Sequence, residues 1–110
     1  MKKYKKISKE DVLKLLASIA ADPLNPTGGI INIVNIAEVL KTSRYQVKKC
    51  INELKHAGVV ELDHIDVSEE DEIYPPYWGY ALTEKGKQHP VYKETKEKTM
   101  KIFKECFELD

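Results

Sequence analysis

Between Thr42 and Lys55 the chain reads Thr-Ser-Arg-Tyr-Gln-Val-Lys-Lys-Cys-Ile-Asn-Glu-Leu-Lys, a run dense in groups that bond anions and base edges. Arg44, Lys48, Lys49 and Lys55 can reach phosphates or guanine edges, Gln46 and Asn52 can pair with adenine, and Tyr45 can stack or bond a phosphate. Thr42 and Ser43 add short hydroxyls at its start. At about 100° per residue, Tyr45, Lys48, Lys49, Asn52 and His56 lie opposite Val47, Ile51 and Leu54, with Arg44 and Lys55 flanking them. Any solvated helix face also carries Lys, Asn and an occasional Tyr, so this face alone leaves both readings open.

Other chemistries find less support. His56, His64 and His89 are scattered and share no triad-like or metal-ligand spacing. The acids gather in one loop instead of pairing across a cleft, and nothing positions a nucleophile, so no catalytic residue and no enzymatic activity are expected. Cys50 and Cys106 fall at apolar positions of helical patterns, with no CxxC or CxxH spacing, which points to buried reduced thiols and no metal site. No GxxxxGK[ST] or GxGxxG pattern is present, and no cofactor is expected.

The basic run must be held by its own helix. Ser43 followed by Gln46 is a capping pattern, after which Val47, Cys50, Ile51 and Leu54 recur at three- and four-residue steps. Gly58 sits where a left-handed C-cap is wanted. Upstream, Asn35 with Glu38 repeats the capping pattern and opens a short helix carrying Ile36, Ala37, Val39 and Leu40. A turn at Lys41-Thr42 joins the two, and a short helix, a tight turn and a longer helix make a helix-turn-helix.

The remaining elements frame that unit within one domain of 110 residues. Ser8 with Asp11 caps a first helix whose apolar face is Val12, Leu13, Leu15, Leu16, Ile19 and Ala20, ended by Asp22-Pro23. Pro23 to Gly29 is turn-rich, and Ile30 to Val34 is a short β-branched run expected as a strand. Val59 to Val67 alternates as a second strand, with Val60 and Leu62 on one face and Glu61 and Asp63 on the other. Pro75-Pro76 confines the returning strand to an edge there. Beyond it Trp78, Tyr80 and Leu82 share a face, expected to be the core face. Thr83 is placed to cap a single helical turn.

The helix-turn-helix, the Ala57-Gly58-Val59-Val60 lead into a strand, and Tyr80-Ala81-Leu82-Thr83-Glu84-Lys85-Gly86 together resemble the winged-helix family of DNA-binding domains. The resemblance runs from about Gly29 to Lys87. It implies an α+β winged helix-turn-helix fold: a three-helix core, a small antiparallel wing sheet and an extra C-terminal helix. It also implies a cytoplasmic bacterial or phage transcription regulator with a recognition helix over 43–57, and it does not pick out a subfamily.

Charge distribution sharpens the expectation. The formal net charge is zero, which argues against a nucleic-acid binder until it is mapped along the chain. Residues 1–21 carry +4 and 35–58 carry +3, whereas 59–74 carry −7 with no Lys or Arg. Met1 to Ser8 reads either as a basic arm following a phosphate backbone or as a solvated terminus. The resembled family often places Arg or Lys at the wing tip; here Glu69, Glu70, Asp71 and Glu72 stand instead. Phosphates would repel them, so the tip is read as a soluble loop, a docking surface for a basic protein partner or, least of the three, a divalent-cation loop lacking the usual ligand order.

His89-Pro90 precedes a last helix from Val91 to about Leu109. Tyr92, Thr95, Thr99, Ile102, Cys106 and Leu109 follow a coiled-coil period, widened by Met100, Phe103 and Phe107. One reading packs this helix back beside the first. The other makes a homodimer through Tyr92, Thr99, Ile102, Phe103, Cys106 and Phe107, the use many winged-helix regulators make of such a helix.

No stretch is apolar for long enough to cross a bilayer, and the Lys-rich start has no apolar region behind it to make a signal peptide. Two functions from different classes follow. One is sequence-specific binding of double-stranded DNA by a dimeric regulator; the other is a protein–protein interaction module working through the acidic wing and aromatic strand.

Overall fold

The computed structural model describes residues 6–22, 29–66 and 72–107, with the side chains of Cys106 and Phe107 left aside. Among these residues five helices and one two-stranded antiparallel sheet appear in the order α1 (Lys9–Ala21), α2 (Ile33–Leu40), α3 (Arg44–His56), β1 (Val60–Ile65), β2 (Tyr77–Leu82), α4 (Glu84–Lys87) and α5 (Pro90–Phe107). This is the expected α+β winged helix-turn-helix arrangement, with β1 and β2 as the wing. Residues 1–5 of the basic arm, Glu69 to Asp71 of the wing tip and Leu109 lie outside the described residues.

α1 begins as its sequence demands. The Ser8 backbone N–H donates to Asp11 Oδ2 at 2.9 Å, so an acid in the first turn takes up a donor the helix leaves free. Its buried face is Val12, Leu13, Leu16, Ala17 and Ala21, and it lies against both α3 and α5. The largest fully buried side chains are Leu16, Ile36, Ile51, Val12 and Val47, drawn from α1, α2 and α3. Each such side chain contributes on the order of 1.5–3 kcal/mol through its removal from water. The three helices therefore share one core.

The start of α2 differs from the sequence expectation. Asn32, not Asn35, is the N-cap: its side-chain oxygen accepts from the Asn35 backbone N–H at 2.8 Å. The expected strand over Ile30 to Val34 is correspondingly reduced to a single bridge. There Ile31 exchanges both backbone hydrogen bonds with Tyr80, at 3.1 and 2.8 Å. Helix formation wins from Ile33 onward because it buries Ile36 and Ala37 against the other helices, which outweighs β propensity. Asn35 keeps a structural role, since its side-chain amide donates to the Tyr77 hydroxyl at 3.1 Å.

The wing corrects a second expectation. Register pairs Val60 with Leu82, Leu62 with Tyr80 and His64 with Trp78, so these six do share one face. That face leaves the core as the hairpin extends. Val60 and Leu82 are buried, Tyr80 is half-buried, and Leu62 and Trp78 are each 51% exposed. Trp78 thus stacks on His64, with ring centroids 4.5 Å apart, instead of filling the core.

α5 packs along α1, which is the intramolecular reading of that helix. Tyr92, expected at the start of a dimer seam, is buried in the shared core with Val91 beside it, so within the single chain it packs inward.

Candidate nucleic-acid interface

The helix-turn-helix is tightened by backbone chemistry at its turn. Lys41 adopts the left-handed conformation, φ 55°, and the Thr42 N–H donates to the Ala37 carbonyl at 3.0 Å, closing the end of α2. The Ser43 hydroxyl then accepts from the Gln46 N–H at 3.2 Å, opening α3 as its sequence suggested. Gly58, at φ 78°, ends the segment in a backbone conformation that costs a residue with a Cβ.

α3 buries Val47, Cys50, Ile51 and Leu54. The opposite face is therefore fixed in space. Arg44, Tyr45, Lys48, Lys49, Asn52 and His56 are exposed, Tyr45 at 73%. Among the described residues no ion pair engages Arg44, Lys48 or Lys49, so their charges are not neutralised from within. These six positions of α3 thus give one outward surface of cationic, amide, imidazole and phenolic groups along the helix, a surface of the kind that a major groove admits.

Four of the sequence-derived residues sit differently. Thr42 is 4% exposed and belongs to the turn's interior, so its side chain is withdrawn from the surface. Gln46 and Ser43 are half-buried, at the helix start. Lys55 is exposed but leans over the Tyr80 ring, 5.8 Å from its centroid, tying the end of α3 to the wing.

Cys50 lies behind this surface. Burial pushes its thiol up, helped by the nearby carboxylates of Glu53 and Asp11 and opposed by Lys49. It is held as a neutral thiol in the core, without the electropositive setting a reactive cysteine needs.

The wing's described acids, Glu61, Asp63, Asp66 and Glu72, are all exposed. The helix-turn-helix and the wing are bolted together by contacts that spacing alone did not reveal. The Tyr77 hydroxyl accepts from the Asn32 backbone N–H and the Asn35 side chain, both at 3.1 Å, joining β2 to the start of α2. The Thr83 hydroxyl donates to the Gly58 carbonyl at 2.6 Å and accepts from the Gly86 N–H at 3.0 Å, joining the end of α3 to α4. The signal for the second was present in the Leu-Thr-Glu-Lys-Gly run; the Tyr77 contact spans more than forty residues and carries no local pattern.

On the α5 side, Thr95, Thr99 and Phe103 form a half-buried stripe that follows the buried Tyr92, while Ile102 is 61% exposed on its flank. Met100 is exposed on the other flank. No helix among the described residues is long and apolar enough to cross a membrane. No group of three or more His, Cys, Asp or Glu among them could hold a metal ion.

No protein-family model matches the chain. No curated protein matches it either. Among solved structures the chain is similar to a zinc-responsive member of the MarR family, ZitR of Lactococcus lactis, at 24% sequence identity with a TM-score of 0.49. The likeness covers 93% of this chain and 61% of that one, so the chain spans less than two thirds of that protein's length.

Proposed function

We propose that the chain binds double-stranded DNA by laying α3 in the major groove, and that it acts as a transcription regulator. The observation that carries this reading is the outer face of α3, where Arg44, Tyr45, Lys48, Lys49 and Asn52 stand exposed behind a fully anchored apolar stripe. Phosphate contacts belong to Lys48, Lys49 and Tyr45, and base readout to Arg44, Gln46 and Asn52. Ser43, at the helix start, offers its backbone and hydroxyl to the same strand. Lys55 contributes charge from the wing side, and Thr42 supports the turn from within.

The zero net charge is compatible with this, because residues 35–58 carry +3 while the acids are gathered in residues 59–74, which carry −7. A homodimer would double the phosphate contacts and place two recognition helices in grooves one turn apart, about 34 Å. The exposed Met100 and Ile102 support α5 as the joining element, with Thr99 and Phe103 beside them, and Cys106 and Phe107 continuing the helix. A reduced core thiol at Cys50 and a DNA ligand both fit the cytoplasm.

The experiment is a titration of duplex fragments with the parent chain and with Arg44→Ala and Lys49→Ala. Sequence preference relaxed in the first and affinity lowered for all sequences in the second support the reading; a parent that binds no duplex at low salt ends it.

A further inference from the structure

The wing carries a strand edge that no strand among the described residues covers. Tyr80 gives both its backbone groups to Ile31, so its partner Leu62 must direct its own N–H and C=O away from β2, toward the outer edge of β1. His64, two residues on, points the same way, and its N–H is taken by the side chain of Asp63 at 2.8 Å. Side chains along this edge alternate. Leu62 and the His64–Trp78 stack line one face, and Glu61 and Asp63 line the other, all exposed. No Lys or Arg occurs between residues 59 and 84.

We propose that the outer edge of β1 receives an extended segment of a partner protein as an added strand, one whose residues alternate apolar and basic. Strand addition at a free edge takes affinity from main-chain hydrogen bonds and specificity from alternate side chains. A strand laid here sets every second side chain beside Leu62 and the His64–Trp78 stack, and the others beside Glu61 and Asp63. Cross-strand pairing rewards apolar partners at the first set and Lys or Arg at the second. A second copy of β1 brings its own Glu61 and Asp63 against the same acids, and like charges opposite one another disfavour that occupant. Duplex phosphates meet the same repulsion.

In the free chain the Asp63 carboxylate blunts the edge by occupying the His64 N–H, a common protection of exposed strands. A basic side chain on the incoming strand draws Asp63 away and frees that donor. The docking surface is separate from the outer face of α3, so it stands or falls independently of DNA binding.

Trp78 is the chain's single tryptophan, and its emission reports on this face directly. The full chain is titrated with ten-residue synthetic peptides alternating Lys with Val, Lys with Ser, and Glu with Val, and with a duplex DNA fragment. The expected result is a saturable blue shift with the Lys/Val peptide alone. That binding should weaken at least tenfold in the exposed-site variant Glu61→Lys with Asp63→Lys, and be lost when alternate peptide amides of the probe are N-methylated. An emission unmoved by Lys/Val peptide at millimolar concentration overturns the proposal. So does an equal response to Lys/Ser, which would be charge alone, or to Glu/Val, which would be apolar contact alone. A shift produced by DNA and not by peptide assigns the face to nucleic acid and equally overturns it, as does binding that tolerates N-methylation.

Discussion

The hydroxyl of Thr83 donates to the carbonyl of Gly58 at 2.6 Å, so the residue that opens α4 also closes the segment carrying α3. The same oxygen accepts from the Gly86 N–H, and the Thr83 N–H donates to the Val59 carbonyl at 3.0 Å. Helix end, wing strand and following turn are thereby one unit. The bearing of α3 is set by this joint as well as by its buried stripe.

Thr83→Val keeps the shape and removes both hydroxyl bonds. Loss of a cap and of the hydrogen bond to the exposed Gly58 carbonyl should cost about 1–2 kcal/mol. Thermal unfolding followed by circular dichroism should show a midpoint lowered by roughly 4–8 °C per kcal/mol. Thr83→Ser should keep most of the parent's stability. Equal midpoints for Val and parent would mean the joint carries no weight.

Gly79 marks where β2 meets the segment before α2. A Cβ built there would lie 2.5 Å from the Ile31 carbonyl carbon and 2.6 Å from its oxygen, both backbone atoms that cannot turn aside. Gly79→Ala should therefore break the Ile31–Tyr80 bridge and cost about 1–3 kcal/mol. Chemical denaturation measures the cost, and exchange of the Tyr80 amide, protected in the parent, should become fast. A variant as stable as the parent would contradict this packing.

Much of this was legible in the chain, for reasons that differ by element. The stripe Val47, Cys50, Ile51, Leu54 is strictly helical in spacing and found its place because one face of α3 must be buried. Asn35 was the wrong cap because Asn32, three residues earlier, has the same chemistry, and the β-branched run between them masked the helix start. Alternation assigns Trp78 to the same face as Tyr80 and Leu82, as observed, but Trp78 lies outside the core that the pattern implies. Alternation reports which side of a sheet a residue occupies, not how far the sheet extends past what it packs on. Tyr92 began a seam that fits another helix well, and α1 of the same chain fills it. Seam periodicity cannot tell an intramolecular partner from a second copy.

The Cys50 thiol gives a pH dependence of known sign. Its folded-state pKa is raised, chiefly by burial, so the folded chain keeps a proton that the unfolded chain sheds around the ordinary thiol value of 9.0. The folded state then binds more protons than the unfolded one, and stability must fall as pH rises above that point toward the folded value. Below it the thiol contributes no slope. Unfolding free energies measured at pH 7.5 and pH 9.5 should fall further for the parent than for Cys50→Ala; matching falls would show that folding leaves the thiol's pKa unshifted.

Ile102→Glu tests assembly through α5 without touching the buried Tyr92. Ile102 is exposed in the single chain, so the variant should fold with unchanged helix content. A dimer joined there should dissociate, and sedimentation at tens of micromolar should move from dimer to monomer. A parent that already sediments as a monomer contradicts the dimer, and an unfolded variant would place Ile102 in the core.

The central claim, that the outer face of α3 lies against duplex DNA, is tested most directly by the salt dependence of binding. For the parent, the logarithm of the association constant should fall linearly with the logarithm of salt concentration, by about 0.9 per phosphate neutralised. Lys49→Ala should flatten that slope by about one per protomer and weaken binding to all sequences alike. Arg44→Ala should leave a residual slope while costing about 1–3 kcal/mol at one base position. A slope unchanged by Lys49→Ala, with sequence preference unchanged by Arg44→Ala, would place the DNA elsewhere or nowhere on this chain.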